Sequence, residues 1–140
     1  MDFSSRYILL VGKAAEVQKT WKLKLGDWVA IESTVDIFKT SNIVLCTKNQ
    51  IRIKKGQKAI FVPRQDQLQD LVLKNWIMSQ KLKAFVDFME NKDVYKTAYQ
   101  TFQTLEQAWL GFVMFTGCQK VWDRSLGVWR SLKEGEDPLP

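Results

Sequence analysis

The chain contains no histidine. That absence removes the side chain that most often serves as general base, metal ligand and partner of a serine or cysteine nucleophile. Hydrolase templates built on Ser-His, Cys-His or zinc therefore have no starting point. Cysteine is scarce too. Cys46 and Cys118 stand far apart and in no Cys-x-x-Cys pairing, so neither a disulfide framework nor a zinc site is signalled, and both are expected to be buried apolar thiols. No Gly-rich phosphate loop is present: Lys55-Gly56-Gln57-Lys58 reads as a turn and lacks Walker spacing. Long hydrophobic runs are missing as well, since Tyr7 to Val11 is too short for export or membrane spanning, and Met1 to Arg6 lacks the basic start of a signal peptide. The expectation is an unexported chain with no membrane association. No cofactor or metal is expected. Carboxylates are the exception to this scarcity, with 15 Asp and Glu available for acid-base or magnesium chemistry, but no spacing singles out a pair.

What the chain does have is apolar bulk and uneven charge. At 140 residues, 46% of them hydrophobic, with six Trp and eight Phe, it is long enough for one domain with a real core. The net charge of +6 lies wholly in the first part, where residues 1 to 58 hold eleven Lys/Arg against five Asp/Glu, while the remainder holds ten of each. Lys48, Arg52, Lys54, Lys55 and Lys58 crowd into eleven positions, a local positive potential suited to phosphates or an acidic partner, or simply a solubilising edge.

Hydrophobic spacing predicts the elements. Tyr7, Leu10, Val11, Ala14, Val17 and Trp21 recur at helical intervals, with Ser4 or Ser5 as N-cap. After Gly26-Asp27, short runs rich in β-branched and aromatic residues read as strands: Trp28 to Ile31, Val35 to Phe38, Ile43 to Cys46, Ile51 to Ile53 and Ala59 to Val62. Breaks at Ser33-Thr34, Thr40 to Asn42, Lys48-Asn49 and Lys55-Gly56 suit an antiparallel meander, in which Arg52 and Lys54 would project from one face of a hairpin. From Pro63 the period becomes helical. Leu68, Leu71, Val72 and Trp76 mark one helix; Leu82, Phe85, Val86 and Met89 mark a second, capped by Ser79 and ended by Asn91 to Asp93. Thr104 with Gln107 has the form of a capping box, opening a third helix whose buried face is Leu105, Ala108, Trp109 and Phe112. Val121 to Asp123 and Gly127 to Trp129 suit a closing turn or hairpin, and residues 134–140 a frayed tail. The fold class expected is α+β in a single domain, 1–140: an N-terminal helix, a small antiparallel sheet at about 28–62 and a C-terminal helical layer.

Two segments invite functional attention. Arg64, Gln65, Asp66 and Gln67 form a polar block at a strand-to-helix junction, where free backbone N–H groups hold an anion or, more simply, are capped by those side chains. Among Trp28, Trp76, Trp122 and Trp129, one or two exposed rings would be candidates for stacking on a base or anchoring a partner.

Several blocks carry a resemblance. Ala15-Glu16-Val17-Gln18-Lys19-Thr20-Trp21, Gly26-Asp27-Trp28, Pro63 to Gln69, Glu106 to Met114, and Lys120 to Asp123 with Trp129 occur in an order similar to that of a family of small uncharacterised proteins encoded by bacteriophages and prophages of low-GC Gram-positive bacteria. The similarity spans nearly the whole chain. It departs at Phe61-Val62, where the family commonly has Trp-Leu, and at Ala108 and Gly111, which are smaller than its usual choices. The resemblance implies a phage or prophage product acting in the bacterial host cytoplasm, and carries over no catalytic or binding residue. The expectation is a non-catalytic accessory factor that binds a host or phage protein through an exposed apolar patch containing a tryptophan. The alternatives are nucleic-acid binding through the basic segment 48–58, and a carboxylate enzyme or small-ligand binder gathering Asp27, Asp66 or Glu106.

Overall fold

The computed structural model describes residues 1–35, 41–48, 50–90 and 102–135. It has the expected α+β class. The chain divides into two compact units, Phe3–Pro63 and Arg64–Pro140, the latter together with Met1–Asp2.

In the first unit Ser4 caps helix α1 (Ser5–Lys13), its hydroxyl accepting from Tyr7 N–H at 3.1 Å. The expected long helix is broken at Ala14, whose ψ of 75° leaves the helical region, so the remainder forms a separate helix α2 (Ala15–Thr20). Three strands follow: β1 (Trp28–Ser33), β2 (Asn42–Leu45) and β3 (Gln57–Val62). The central β1 is antiparallel to both neighbours, pairing Trp28 with Leu45 and with Val62, and Ser33 with Gln57. Val29 and Ala30 are adjacent in β1 and both fully buried. Since neighbouring strand residues face opposite ways, both faces of the sheet are covered at its centre. Helix α1 packs on β3 closely enough that Gly12, which has no side chain, stands where a Cβ would meet Ile60 Cδ1 at 3.0 Å. Tyr7 is buried below it and donates its hydroxyl proton to the Pro63 carbonyl at 2.7 Å.

The meander differs from expectation at one strand. Ile51 to Ile53 form no strand and join no ladder. The reason lies in register: β2 ends beside Trp28 whereas β3 begins beside Ser33, so the chain between them must travel the length of β1, about 17 Å. A hairpin cannot do that. The connection leaves through Cys46 N–H to Asp27 O (2.8 Å) and returns where Thr34 N–H bonds Gly56 O (2.7 Å), Gly56 having a positive φ of 80°. The expected strand Val35 to Phe38 lies mostly outside the described residues, as do Asn49 of the Lys48-Asn49 turn and Thr40 of the turn before β2.

In the second unit, helix α3 (Gln65–Leu71) stops before Trp76, because Val72 is extended and Leu73 takes a left-handed φ of 49°. Helix α4 (Met78–Glu90) starts one residue ahead of Ser79, and the cap belongs instead to Gln80, whose Oε1 accepts from Ile77 N–H at 3.1 Å. The expected end at Asn91 to Asp93 lies outside the described residues. Helix α5 (Leu105–Cys118) is capped by Thr104, as the motif predicts, with Thr104 Oγ1 accepting from Gln107 N–H at 3.3 Å. Gln107 Oε1 reaches one residue further back than a standard box, to Gln103 N–H (3.1 Å), and the Asp2 carboxylate accepts from both Thr104 Oγ1 (2.7 Å) and Gln107 Nε2 (2.8 Å). Residues 107 to 115 are all buried, so α5 is enclosed on every side, while Leu105 of the expected core face is exposed. Strands β4 (Lys120–Asp123) and β5 (Val128–Ser131) form the closing hairpin, with Trp122 directly opposite Trp129 and their rings edge to face at 5.3 Å. Of the two thiols, Cys46 is buried as expected and Cys118 is half-buried. Residues 136–140 of the expected tail lie outside the described residues.

Candidate functional site

Helix α4 holds the surface that differs most from an ordinary solvated face. Its inward residues are Lys81, Phe85 and Phe88. Phe85 stacks on Trp109 of α5 with ring centroids 4.1 Å apart, and Phe88 meets Phe112 and Phe115 at 5.4 and 5.3 Å. Lys81 is buried and directs its ammonium to the Gln69 carbonyl in the last turn of α3 (2.8 Å), supplying the positive charge that α3 itself lacks at its C-terminal end.

With Phe85 and Phe88 facing in, the remaining apolar residues of α4 cannot do so. The expected core stripe of Leu82, Phe85, Val86 and Met89 is therefore split. Leu82 and Val86 turn outward and Met89 is half-buried. Together with Trp76, Ile77 and Met78 at the helix entry they form a run of large apolar side chains, in which Trp76, Ile77, Met78, Leu82 and Val86 are 44% to 67% exposed. Met78, Leu82 and Val86 fall at intervals of four, so they line one side of the helix. A single exposed leucine is ordinary on a protein surface, whereas five large apolar side chains exposed on and just ahead of one helix, a tryptophan among them, have the composition of a docking surface. Of the four tryptophans singled out above, Trp122 and Trp129 are buried in the hairpin, Trp28 is half-buried against Phe3 (4.8 Å), and Trp76 is exposed.

The basic segment is arranged differently from a hairpin patch. Lys48, Arg52, Lys54, Lys55 and Lys58 are all exposed. Lys48 sits near the Trp28 end of β1, whereas Lys54 and Lys55 enter the Gly56 turn at the Ser33 end and Lys58 follows it opposite Glu32, so three of the five gather at one end of the sheet and Lys48 stands apart from them. Arg52 and Lys54 do not share a strand face, since no strand forms there. Lys58 pairs with Glu32 (3.4 Å), whose other oxygen accepts from Ser41 Oγ (3.0 Å). Glu32 also lines a groove of about 610 Å³ in this unit, with Phe3, Arg6, Ile8, Leu9 and Ile43 among its other walls.

At the polar junction the groups serve one another. Gln67 Oε1 accepts from Arg64 N–H at 2.9 Å, and the Arg64 guanidinium grips Asp66 with two bonds, 3.0 and 3.1 Å. That hydrogen bonding, and then the charge of Arg64, holds the Asp66 carboxyl below its ordinary value. A carboxylate in the first turn of a seven-residue helix already answers its positive end.

The other carboxylates named above are likewise engaged. Asp27 is buried and accepts from Trp21 Nε1 (3.1 Å) and Lys24 N–H (2.7 Å); Glu106 pairs with the Met1 ammonium at 3.1 Å. Among the described residues, no three or more Cys, Asp or Glu side chains gather to hold a metal ion, and no helix is long and apolar enough to cross a membrane. Sequence reasoning found Trp76 but assigned it to a helix, and it placed Leu82 and Val86 in the core. The missed signal was the count of apolar residues on α4, which exceeds what one buried face can take. No family model, curated protein or solved structure matches the chain.

Proposed function

We propose that the protein is a non-catalytic accessory factor that acts by docking another protein on the outer face of α4, with Trp76 as the anchor. The observation that carries this reading is the row Trp76, Ile77, Met78, Leu82 and Val86, large apolar side chains left exposed on and just ahead of a helix that packs on its own unit through Phe85 and Phe88. Burying such a row gains roughly 25 cal/mol for each Å² removed from water, and aromatic anchors contribute most of the energy in protein interfaces. The resemblance to phage and prophage proteins supports a setting in the host cytoplasm, where the partner is a host or phage protein.

A second reading draws on charge. The unit Phe3–Pro63 holds eleven Lys/Arg against four Asp/Glu, whereas the other unit holds ten against eleven. The excess found along the sequence thus belongs to one folded unit, and two of its four carboxylates, Asp27 and Glu32, are occupied by internal partners. Such a surface suits a polyanion, with Lys48 to Lys58 as part of it.

The two readings separate in a tagged pull-down from host lysate, run with and without nuclease. Protein docking predicts a partner that survives nuclease and is lost from a Trp76→Ala chain. Retention of nucleic acid alone, unaffected by Trp76→Ala, contradicts it and makes Lys54 and Lys55 the first residues to neutralise.

A further inference from the structure

Resting on the reading of the α4 face as a docking surface, we propose that one partner of that face is a second copy of this chain, paired antiparallel along α4. Two features point to self-pairing. Within α4 itself the pattern is close to palindromic: exposed Met78, Leu82 and Val86 with half-buried Met89 place a flexible methionine at each end and a branched aliphatic pair between them, Trp76 and Ile77 lying ahead of the helix. Two-fold interfaces require such self-complementarity, because each residue i that meets j is matched by j meeting i. The exposed charges follow the same logic. Lys74 precedes the segment and Lys83 sits just N-terminal to its centre, whereas Asp87 and Glu90 lie in its C-terminal part.

An antiparallel arrangement with its two-fold axis near Ala84 and Phe85 sets Leu82 against Val86 of the second copy and Lys83 against its Asp87. A parallel arrangement would set like charges together. The contact is short: α4 has thirteen residues, and a helix of that length spans about 20 Å. It falls below the roughly 800 Å² per partner of a standard interface, which marks the pairing as a weak, reversible one. A surface that pairs weakly with itself also remains free to exchange one copy for a different protein.

The test is thiol labelling of a Leu82→Cys chain, with modification at position 82 read by peptide mass spectrometry, at about 1 μM and about 500 μM protein, concentrations that bracket a weak dissociation constant. The proposal expects fast labelling in the dilute sample and labelling at least about fivefold slower in the concentrated one, as mass action requires. Sedimentation equilibrium of the unaltered chain should show the mass approaching twice that of one chain over the same range. Adding Lys83→Glu or Asp87→Lys should each restore fast labelling at high concentration, and mixing the two charge variants should bring protection back. Fast labelling at both concentrations, with a monomer mass throughout, overturns self-pairing and leaves docking of another protein intact. Slow labelling already in the dilute sample, together with a monomer mass there, means that the chain covers its own face, which overturns both. Protection that persists in the Lys83→Glu chain overturns the antiparallel arrangement.

Discussion

Gln18 does the work of a missing strand. Strand β3 is an edge of the three-stranded sheet, and an edge exposes backbone groups that invite pairing with other chains. The Gln18 side-chain amide meets this at one point: Oε1 accepts from Phe61 N–H at 2.9 Å and Nε2 donates to Phe61 O at 3.0 Å, as a neighbouring strand would. Above it, Trp21 stacks on the Phe61 ring at 5.2 Å with the planes nearly parallel. Replacing Gln18 with Ala removes both bonds, and a third from Nε2 to Val11 O (3.2 Å), in a half-buried place and should cost about 1–3 kcal/mol in urea unfolding. Gln18→Glu keeps the acceptor but sets a carboxylate against the Phe61 carbonyl, and should recover little of it. Arg64 and Asp66 give a smaller, pH-dependent effect. The folded pKa of Asp66 is depressed, so its contribution is present above the unfolded value of about 4 and is lost as pH falls through the folded one. Because the pair is exposed, Asp66→Asn should cost no more than about 0.5 kcal/mol at neutral pH, with the difference vanishing in acid. The sequence offered Gln18 only as one polar position on a helix; its partner is set by tertiary approach, which no local pattern encodes.

At the scale of elements, periodicity located the helical stretches, missed the break at Ala14 and the stop before Trp76, and assigned the helix faces less well. Helix α4 has apolar residues on two sides, so a single hydrophobic stripe fits it in more than one rotation. The deciding factor is aromatic packing against α5, which takes Phe85 and Phe88 and leaves Leu82 and Val86 outside. Helix α5 was recognisable from Thr104 and Gln107 because capping is local chemistry, but its complete enclosure was not. The strand expected at Ile51 to Ile53 failed for a similar reason. Its composition favours a strand, yet the register of β2 and β3 makes that stretch a crossing connection.

Gly111 shows the same dependence on a distant neighbour. A Cβ at that position would overlap the Cε2 and Cζ atoms of Phe102, whose ring lies over the glycine and faces Trp129 at 6.5 Å. Gly111→Ala alone should therefore be destabilising by about 1–2 kcal/mol, since the displaced ring outweighs the helix preference for alanine. In a Phe102→Ala background the same change should become stabilising by up to about 1 kcal/mol. Additive effects across that double-mutant cycle in urea unfolding would contradict the contact.

For the molecule as a whole, the two units differ in character: one carries the whole net positive charge, its eleven Lys/Arg facing four Asp/Glu, and the other, nearly neutral, carries the exposed apolar row. The charge asymmetry was legible in the sequence, because counting needs no geometry, and so was the α+β class. The apolar row was not, because exposure is a property of packing. Any nucleic acid that the basic unit retains should be released steeply between about 50 and 200 mM salt, and Lys54→Ala with Lys55→Ala should lower the slope by about 2. A salt-insensitive association would point away from phosphate contacts.

The central claim, that the outer face of α4 is a docking surface and not part of the core, is tested most directly by the Leu82→Glu, Val86→Glu chain. Its urea unfolding and its nuclease-resistant retention of protein should be measured beside the unaltered chain. The account predicts unfolding within about 0.5 kcal/mol of the original, as for surface substitutions, together with loss of the bound protein. Full retention of that protein by the double variant, or a destabilisation of about 3 kcal/mol or more as for a core residue, would contradict it.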